Sequence, residues 1–181
     1  VSPKNTVVLR NPINTIEYPF AAQKKDESKK ILSIIGRLSG PKGEVAYKLL
    51  EILSDIKNLE IRLIGGKDIP EKFQKFFKNK NIKFMGYVND VPEKIKESDI
   101  IVGAGRVAVE GILSGKPVIA IGEAKYIGLI TNNNLSDALA SNFGDIEFSN
   151  SENFNWNLLK NDVESAFTLT KKELFSLREN V

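Results

Sequence analysis

The 181-residue chain contains no cysteine and no histidine. Without cysteine there is no disulfide scaffold and no thiolate metal site. Without histidine the usual general base near neutral pH is missing, and with it Ser-His-Asp hydrolysis and His-ligated zinc. No apolar run approaches the ~18 residues that span a bilayer, and no signal-peptide pattern is read at the start. Neither sign of charge dominates: 26 Lys+Arg against 23 Asp+Glu give +3, too mild to argue for nucleic acid. What is present is 41% hydrophobic and 27% charged residues, the balance of one ordinary globular domain. The charge is uneven, since residues 145–181 hold seven acids and four bases and leave +6 for residues 1–144. Such a mildly basic body suits an anionic small molecule or a membrane surface. The expected location is cytoplasmic, with peripheral contact at the inner face of the membrane permitted.

Residues 1–24 offer a short strand at 7–9 and then turn chemistry around Pro12, Asn14 and Pro19, which reads as a connector over a surface. A chain that opens in mid-strand and runs into a linker is expected to be a piece of something longer. Residues 25–149 alternate short apolar runs with amphipathic ones. Strands are predicted at 31–35, 59–64, 82–85, 99–102 and 117–121, and helices at 44–57, 70–79, 90–97 and 105–114. Residues 150–181 supply two more helices, 156–169 and 171–179. Strand–helix alternation every 20 to 25 residues means an α/β fold with a Rossmann-like parallel sheet flanked by helices. Ligands of such folds sit beyond the carboxyl ends of the strands. The loops there, at 36–43, 65–68, 86–90, 103–106 and 122–125, all begin with glycine, which lets a backbone approach a ligand closely.

Two of these loops carry chemistry. Gly36-Arg37-Leu38-Ser39-Gly40-Pro41-Lys42-Gly43 feeds a helix, whose N-terminus favours an anion, and adds an arginine fork and a lysine for a phosphate or diphosphate. The plain alternative is two solvated loop cations. Gly103-Ala104-Gly105-Arg106-Val107-Ala108-Val109-Glu110 is a second such junction, with a carboxylate suited to a sugar diol or merely solvated on a helix. Asp-x-Asp is absent, so the metal-chelating pair of one class of sugar-nucleotide enzymes is missing. Fixed Arg and Lys can supply the neutralisation that Mg²⁺ would give a departing diphosphate. No metal ligand set and no cofactor is expected.

With those residues in view, the chain resembles the C-terminal, nucleotide-binding half of a GT-B glycosyltransferase, close to family 4 (group 1), over about three quarters of its length. The resemblance rests on NPINTIEY as the connector, IIGRLSGPKG as the phosphate loop, IKFMGYVND as the base-binding turn and DIIVGAGRVAVEGILSGKPVIA as the Glu-containing helix region. It implies a metal-independent, retaining enzyme using a nucleoside-diphosphate sugar, a UDP-sugar foremost, whose acceptor domain would be a separate N-terminal half. By the same resemblance Arg37 and Lys42 grip the diphosphate within the Gly36, Ser39 and Gly40 loop. Tyr87 and Val88 meet the base, the N–H groups near Gly105, Arg106 and Val107 meet the distal phosphate, and Glu110 holds the ribose. The family's first glutamate, eight residues before the second, is replaced here by Val102, so the grip on the donor sugar does not carry over; Glu123 is the substitute to consider.

Two other readings stay open. Gly103-Ala104-Gly105-Arg106-Val107-Ala108 also fits the GxGxx[GA] dinucleotide fingerprint with Glu123 twenty residues further on, which would make this an NAD(P)-binding domain. A non-catalytic module binding a nucleotide sugar is the third. Without an acceptor domain the 181-residue chain is expected to bind donor but transfer little. In the tail, Trp156, Leu159, Val163, Phe167 and Leu174 either pack on the sheet or leave a stripe near Leu174, Phe175 and Leu177 exposed for self-association.

Overall fold

A computed structural model describes residues 12–21, 29–146 and 154–181; the strand expected at 7–9 lies outside them. Six strands form one sheet: β1 (Lys30–Ile35), β2 (Leu59–Ile64), β3 (Ile82–Gly86), β4 (Ile100–Gly103), β5 (Val118–Ile121) and β6 (Tyr126–Leu129). Their order is β3-β2-β1-β4-β5-β6, parallel except for β6, which runs antiparallel to β5. This is the doubly wound arrangement that the strand–helix alternation implies, with β1 and β4 adjacent at the point where the winding reverses. Leu32 lies opposite Ile100 and Ile34 opposite Val102 across that central pair.

The sheet separates two cores. On one side α1 (Gly40–Leu53) presents Ala46, Leu49, Leu50 and Leu53 to Leu32, Ile34 and Leu63, and α5 (Leu159–Ala166) adds Leu159, Val163 and Ala166. The 3,4 spacing of those α1 residues is one face of a helix, and no residue of it is exposed by more than a few per cent. On the other side α2 (Val91–Glu97), α3 (Arg106–Leu113), α4 (Leu135–Ala140) and α6 (Lys171–Asn180) cover Ile35, Ile64, Ile101 and Ala120. Asp90 starts α2 by accepting from the Glu93 N–H at 3.1 Å, and Thr170 with Glu173 forms a reciprocal capping box on α6.

Three expectations are corrected. The helix expected at 44–57 begins four residues earlier, at Gly40, because Pro41 suits a first helical turn and lacks only an N–H that would be unpaired there. The helix expected at 70–79 is a 3₁₀ segment, Glu71–Phe76, which puts Phe73 and Phe76 on one side at its three-residue repeat, both buried. The helix expected at 156–169 is a 3₁₀ turn, Trp156–Leu158, followed by the shorter α5. In the tail it is the packing alternative that holds: Leu174 and Leu177 are buried, Leu177 in the core on the sheet's second face, and Phe175 is open, set edge-on against Phe20.

The antiparallel strand is fastened to α5. The Tyr126 hydroxyl donates to Asp162 at 2.6 Å, and the Leu129 N–H reaches the same oxygen at 3.3 Å. Burial first, then the Asp162 carboxylate, raises the phenol's pKa far above its ordinary value, so it stays a donor. Tyr126→Phe is expected to cost about 1.5 kcal/mol in urea unfolding with an unchanged slope, the loss of one hydrogen bond to a charged acceptor.

Candidate functional site

The carboxyl ends of β1, β4 and β5 open on a narrow cleft with about 30 Å³ of room, lined by Gly36, Arg37, Lys42, Gly103 and Ala104 over a floor that includes Val102 and Ile121. Lys42 sits in the first turn of α1, and the loop proper is only 36–39. Ser39 occupies the N-cap position of α1 yet makes no side-chain cap bond, and Gly40 follows it with a positive φ of 61°. Gly105 is the N-cap of α3 and has no side chain to cap with. Two helices of full length therefore start beside the cleft with no side-chain cap on their first-turn N–H groups, as an anion site requires.

Gly105 could not be another residue. Its φ is +54°, its N–H is given to the Asn142 carbonyl at 3.1 Å, and an added Cβ would stand 3.1 Å from Asp145 Oδ2 and 3.2 Å from Asn142 Nδ2. Asp145 is the residue that ties the site together. It accepts from Lys42 Nζ at 2.8 Å through one oxygen and from the Glu123 N–H at 3.3 Å through the other. Arg37 Nη2 pairs with Glu123 Oε1 at 3.0 Å. Each cation of the cleft thus leans on a carboxylate from the far wall. Lys42 and Asp145 are largely sheltered, whereas the Arg37 side chain is 71% exposed and free to turn.

The residues brought together are therefore Gly36, Arg37, Ser39, Gly40, Lys42, Gly105 and Glu123. Tyr87 and Val88 follow β3, two strands from β1 and so about 10 Å to one side at the usual strand spacing. Tyr87 is 71% exposed, while Val88 packs on the core. Arg106 opens α3 with Val107 behind it against Gly103, but Glu110 does not line the cleft. It is buried, 4% exposed, and its carboxylate accepts from Arg106 Nε at 2.7 Å. Burial, then a hydrogen bond to Glu110 and its negative charge, push the Tyr18 hydroxyl up to about 12. The carbonyl of Tyr18, in the connector, in turn accepts from Arg178 of α6 at 3.1 Å, and that guanidinium also donates to the Leu113 carbonyl.

Asp145, Asn142 and Tyr18 are the site residues that sequence reasoning missed. The signal for Asp145 was its place in Asn142-Phe143-Gly144-Asp145, where three consecutive positive φ values make a tight reversal after α4. The dinucleotide reading meets a different obstacle. Its fingerprint follows β4 rather than opening the first strand–helix unit.

A doubly wound half-domain whose cleft gathers two helix starts and two cations has counterparts among known proteins. The sequence model of glycosyl transferases group 1 matches residues 16–146, and the chain belongs to that family. No curated protein matches the sequence. Among solved structures, the chain is similar to the C-terminal domain of a glycosyl transferase group 1 family protein (LpcC) from Francisella tularensis. The identity is 16%, with a TM-score of 0.59 over 93% of this chain and 97% of that one. It is similar also to Anabaena Alr3699/HepE in complex with UDP, at 17% identity and a TM-score of 0.53, covering 99% of this chain and 57% of that one. A glycosyltransferase from Rickettsia africae gives 18% identity and a TM-score of 0.55 over 99% of this chain and 56% of that one. The chain thus spans little more than half the length of the latter two, and its fold is that of a GT-B C-terminal domain. Among the described residues no helix is long and apolar enough to cross a membrane.

Proposed function

We propose that the mouth of the cleft, between the starts of α1 and α3 and opened as Arg37 and Glu123 turn apart, binds the diphosphate of a UDP-sugar, and that the whole enzyme transfers the sugar with retention of configuration and without a metal or cofactor. The observation that carries this is the approach of Arg37 and Lys42 to the start of α3 across one cleft, with Asp145 linking the two walls. Diphosphate oxygens replace Glu123 and Asp145 as partners of the two cations, an exchange of one anion for another that creates no unpaired charge on the cationic side. The uridine then extends toward Tyr87 and Val88, over the distance that two strand spacings provide. Glu110 receives the ribose hydroxyls once Arg106, whose side chain is about half exposed, turns outward. Tyr18 stays on the carboxylate and holds it in place.

In the transfer itself the bond from the anomeric carbon to the phosphate oxygen breaks and the acceptor oxygen takes its place on the same face. The acceptor's proton passes to the departing phosphate, and the spreading negative charge is met by Arg37, Lys42 and the helix N–H groups. The second domain of a GT-B enzyme closes the cleft and brings the acceptor. Glu123, once released from Arg37, is left to contact the donor sugar in the role that Val102 cannot fill.

A thermal-shift panel of UDP, GDP, ADP and NAD tests the assignment. UDP is expected to raise the melting temperature most; stabilisation by NAD and none by UDP would overturn it. Glu123→Gln separates the two parts of the proposal. Removing the competing acid is expected to tighten UDP several-fold while UDP-glucose loses its advantage over UDP, by isothermal titration. Equal changes for both ligands would remove Glu123 from the sugar.

A further inference from the structure

Asp145 closes a reversal whose backbone is pinned on three sides. The Phe143 N–H donates to the Ala138 carbonyl of α4 at 2.6 Å, and the Gly105 N–H at the start of α3 donates to the Asn142 carbonyl at 3.1 Å. The Gly144 carbonyl accepts from the N–H groups of Ala124 and Lys125, both at 3.0 Å, in the turn between β5 and β6. Phe143 is 1% exposed. Asn142 and Phe143 nevertheless both hold positive φ values, which side chains disfavour. Strain of that kind persists only where the surroundings over-determine it. The carboxylate that the reversal presents is 17% exposed and meets Lys42 at 2.8 Å. Its Oδ2 also lies close beside Gly105, the N-cap of α3.

We infer that Asp145 discriminates between donor and product, opposing the free terminal phosphate of a nucleoside diphosphate more than the esterified phosphate of a nucleoside-diphosphate sugar. The inference rests on the donor-site reading above. In the strand order β3-β2-β1-β4, a nucleotide whose base lies near Tyr87, after β3, brings its last phosphate to α3, which follows β4. There the phosphate and the carboxylate compete for Lys42. The displaced carboxylate can turn only about its own side-chain bonds, because its backbone is fixed, so it stays near the phosphate. Its charged neighbours are Lys42 of α1 and the Glu123–Arg37 pair, with Arg106 one residue beyond Gly105. A free terminal phosphate carries about −1.5 to −2 charge near neutral pH, and the diester of a sugar nucleotide carries only one. The additional charge meets a like charge in a sheltered place, where screening is weak. The group that tolerates the donor thus speeds the product's departure.

Calorimetric titration of the 181-residue chain and its Asp145→Asn variant with UDP and with UDP-glucose tests this. The variant is expected to bind UDP roughly three- to tenfold more tightly, and UDP-glucose at most about twofold more tightly. The excess gain for UDP shrinks between about pH 8 and about pH 6, as the terminal phosphate takes up a proton. The chain has no histidine to titrate in that interval. Equal tightening of both ligands, weaker binding of UDP, or a gain that pH does not move overturns the inference, since each makes Asp145 a structural tie. Asp145→Ser also removes the charge and decides the matter if the asparagine variant does not fold. A wild-type chain that binds neither ligand instead overturns the donor assignment on which the inference rests.

Discussion

Arg37→Ala is expected to weaken UDP binding roughly ten- to hundredfold, and Arg37→Ala with Lys42→Ala to bring it down a further tenfold or more. A charge-assisted hydrogen bond contributes about 1.5–3 kcal/mol, and the guanidinium can offer two such bonds to one phosphate. The two cations differ in how they are held. Arg37 is mostly exposed and its ion pair with Glu123 costs little to open. Lys42 is partly sheltered, and its 2.8 Å contact with Asp145 must be exchanged in a drier place. The arginine variant should therefore lose affinity with a reduced dependence on salt, because the cation most open to screening has gone. Calorimetric titration of UDP at low and moderate ionic strength measures both effects. An affinity unchanged in Arg37→Ala would show that the diphosphate lies elsewhere.

Glu60→Ala is expected to cost about 3 kcal/mol near pH 7, at the lower end for a broken buried ion pair. Glu60 opens β2 almost entirely out of water, and it faces Arg62 at 2.7 Å, Lys83 at 2.9 Å and Lys29 at 3.0 Å. Burial works against its ionisation. Hydrogen bonds from Lys83, Arg62 and Lys29 outweigh that and hold its pKa down at about 2, against an ordinary value of 4.5. A lowered folded pKa stabilises the fold above the unfolded value, and the benefit is lost as pH falls from 4.5 toward 2. The lower end of the range applies because Lys29 and Lys83 are about half exposed and regain water when the acid is removed, whereas Arg62 keeps Glu97 at 2.6 Å. Urea unfolding of both proteins should show a gap that narrows steadily below about pH 4.5. A gap that stays constant down to about pH 3 would mean that Glu60 acts through packing and not through charge.

The parallel sheet could be read from the sequence because β4 and β5 are unbroken apolar runs, β1 is interrupted only by Ser33 after its opening lysine, β2 keeps Leu59, Ile61, Leu63 and Ile64 around Glu60 and Arg62, and each strand runs out on a glycine. Two later elements could not. Tyr126–Leu129 is four residues long with a glycine inside it, and Leu135–Ala140 makes barely two turns, so neither is long enough to show a period. The same limit applied to the site. Arg37, Lys42 and Gly105 announce themselves through helix-start chemistry that is local in sequence. Asp145 reaches Lys42 from more than a hundred residues away, and Tyr18 reaches Glu110 from the connector; both are products of tertiary packing. Glu110 shows the cost of that blindness. Its position in the motif suggested an open carboxylate, and only the fold reveals that Arg106 and Tyr18 already hold it.

The central strand is made first and finished late. β1 can pair with β2 as soon as Leu59–Ile64 has been synthesised, but its other edge waits for Ile100–Gly103. Until then a growing polypeptide carries an open ribbon of Leu32, Ser33 and Ile34 with unmet amide groups along one side. A domain with this strand order that folds during synthesis has its β3-β2-β1 half available before β4 to β6 can close over it, and that interval exposes the unpaired edge of β1 to misassociation.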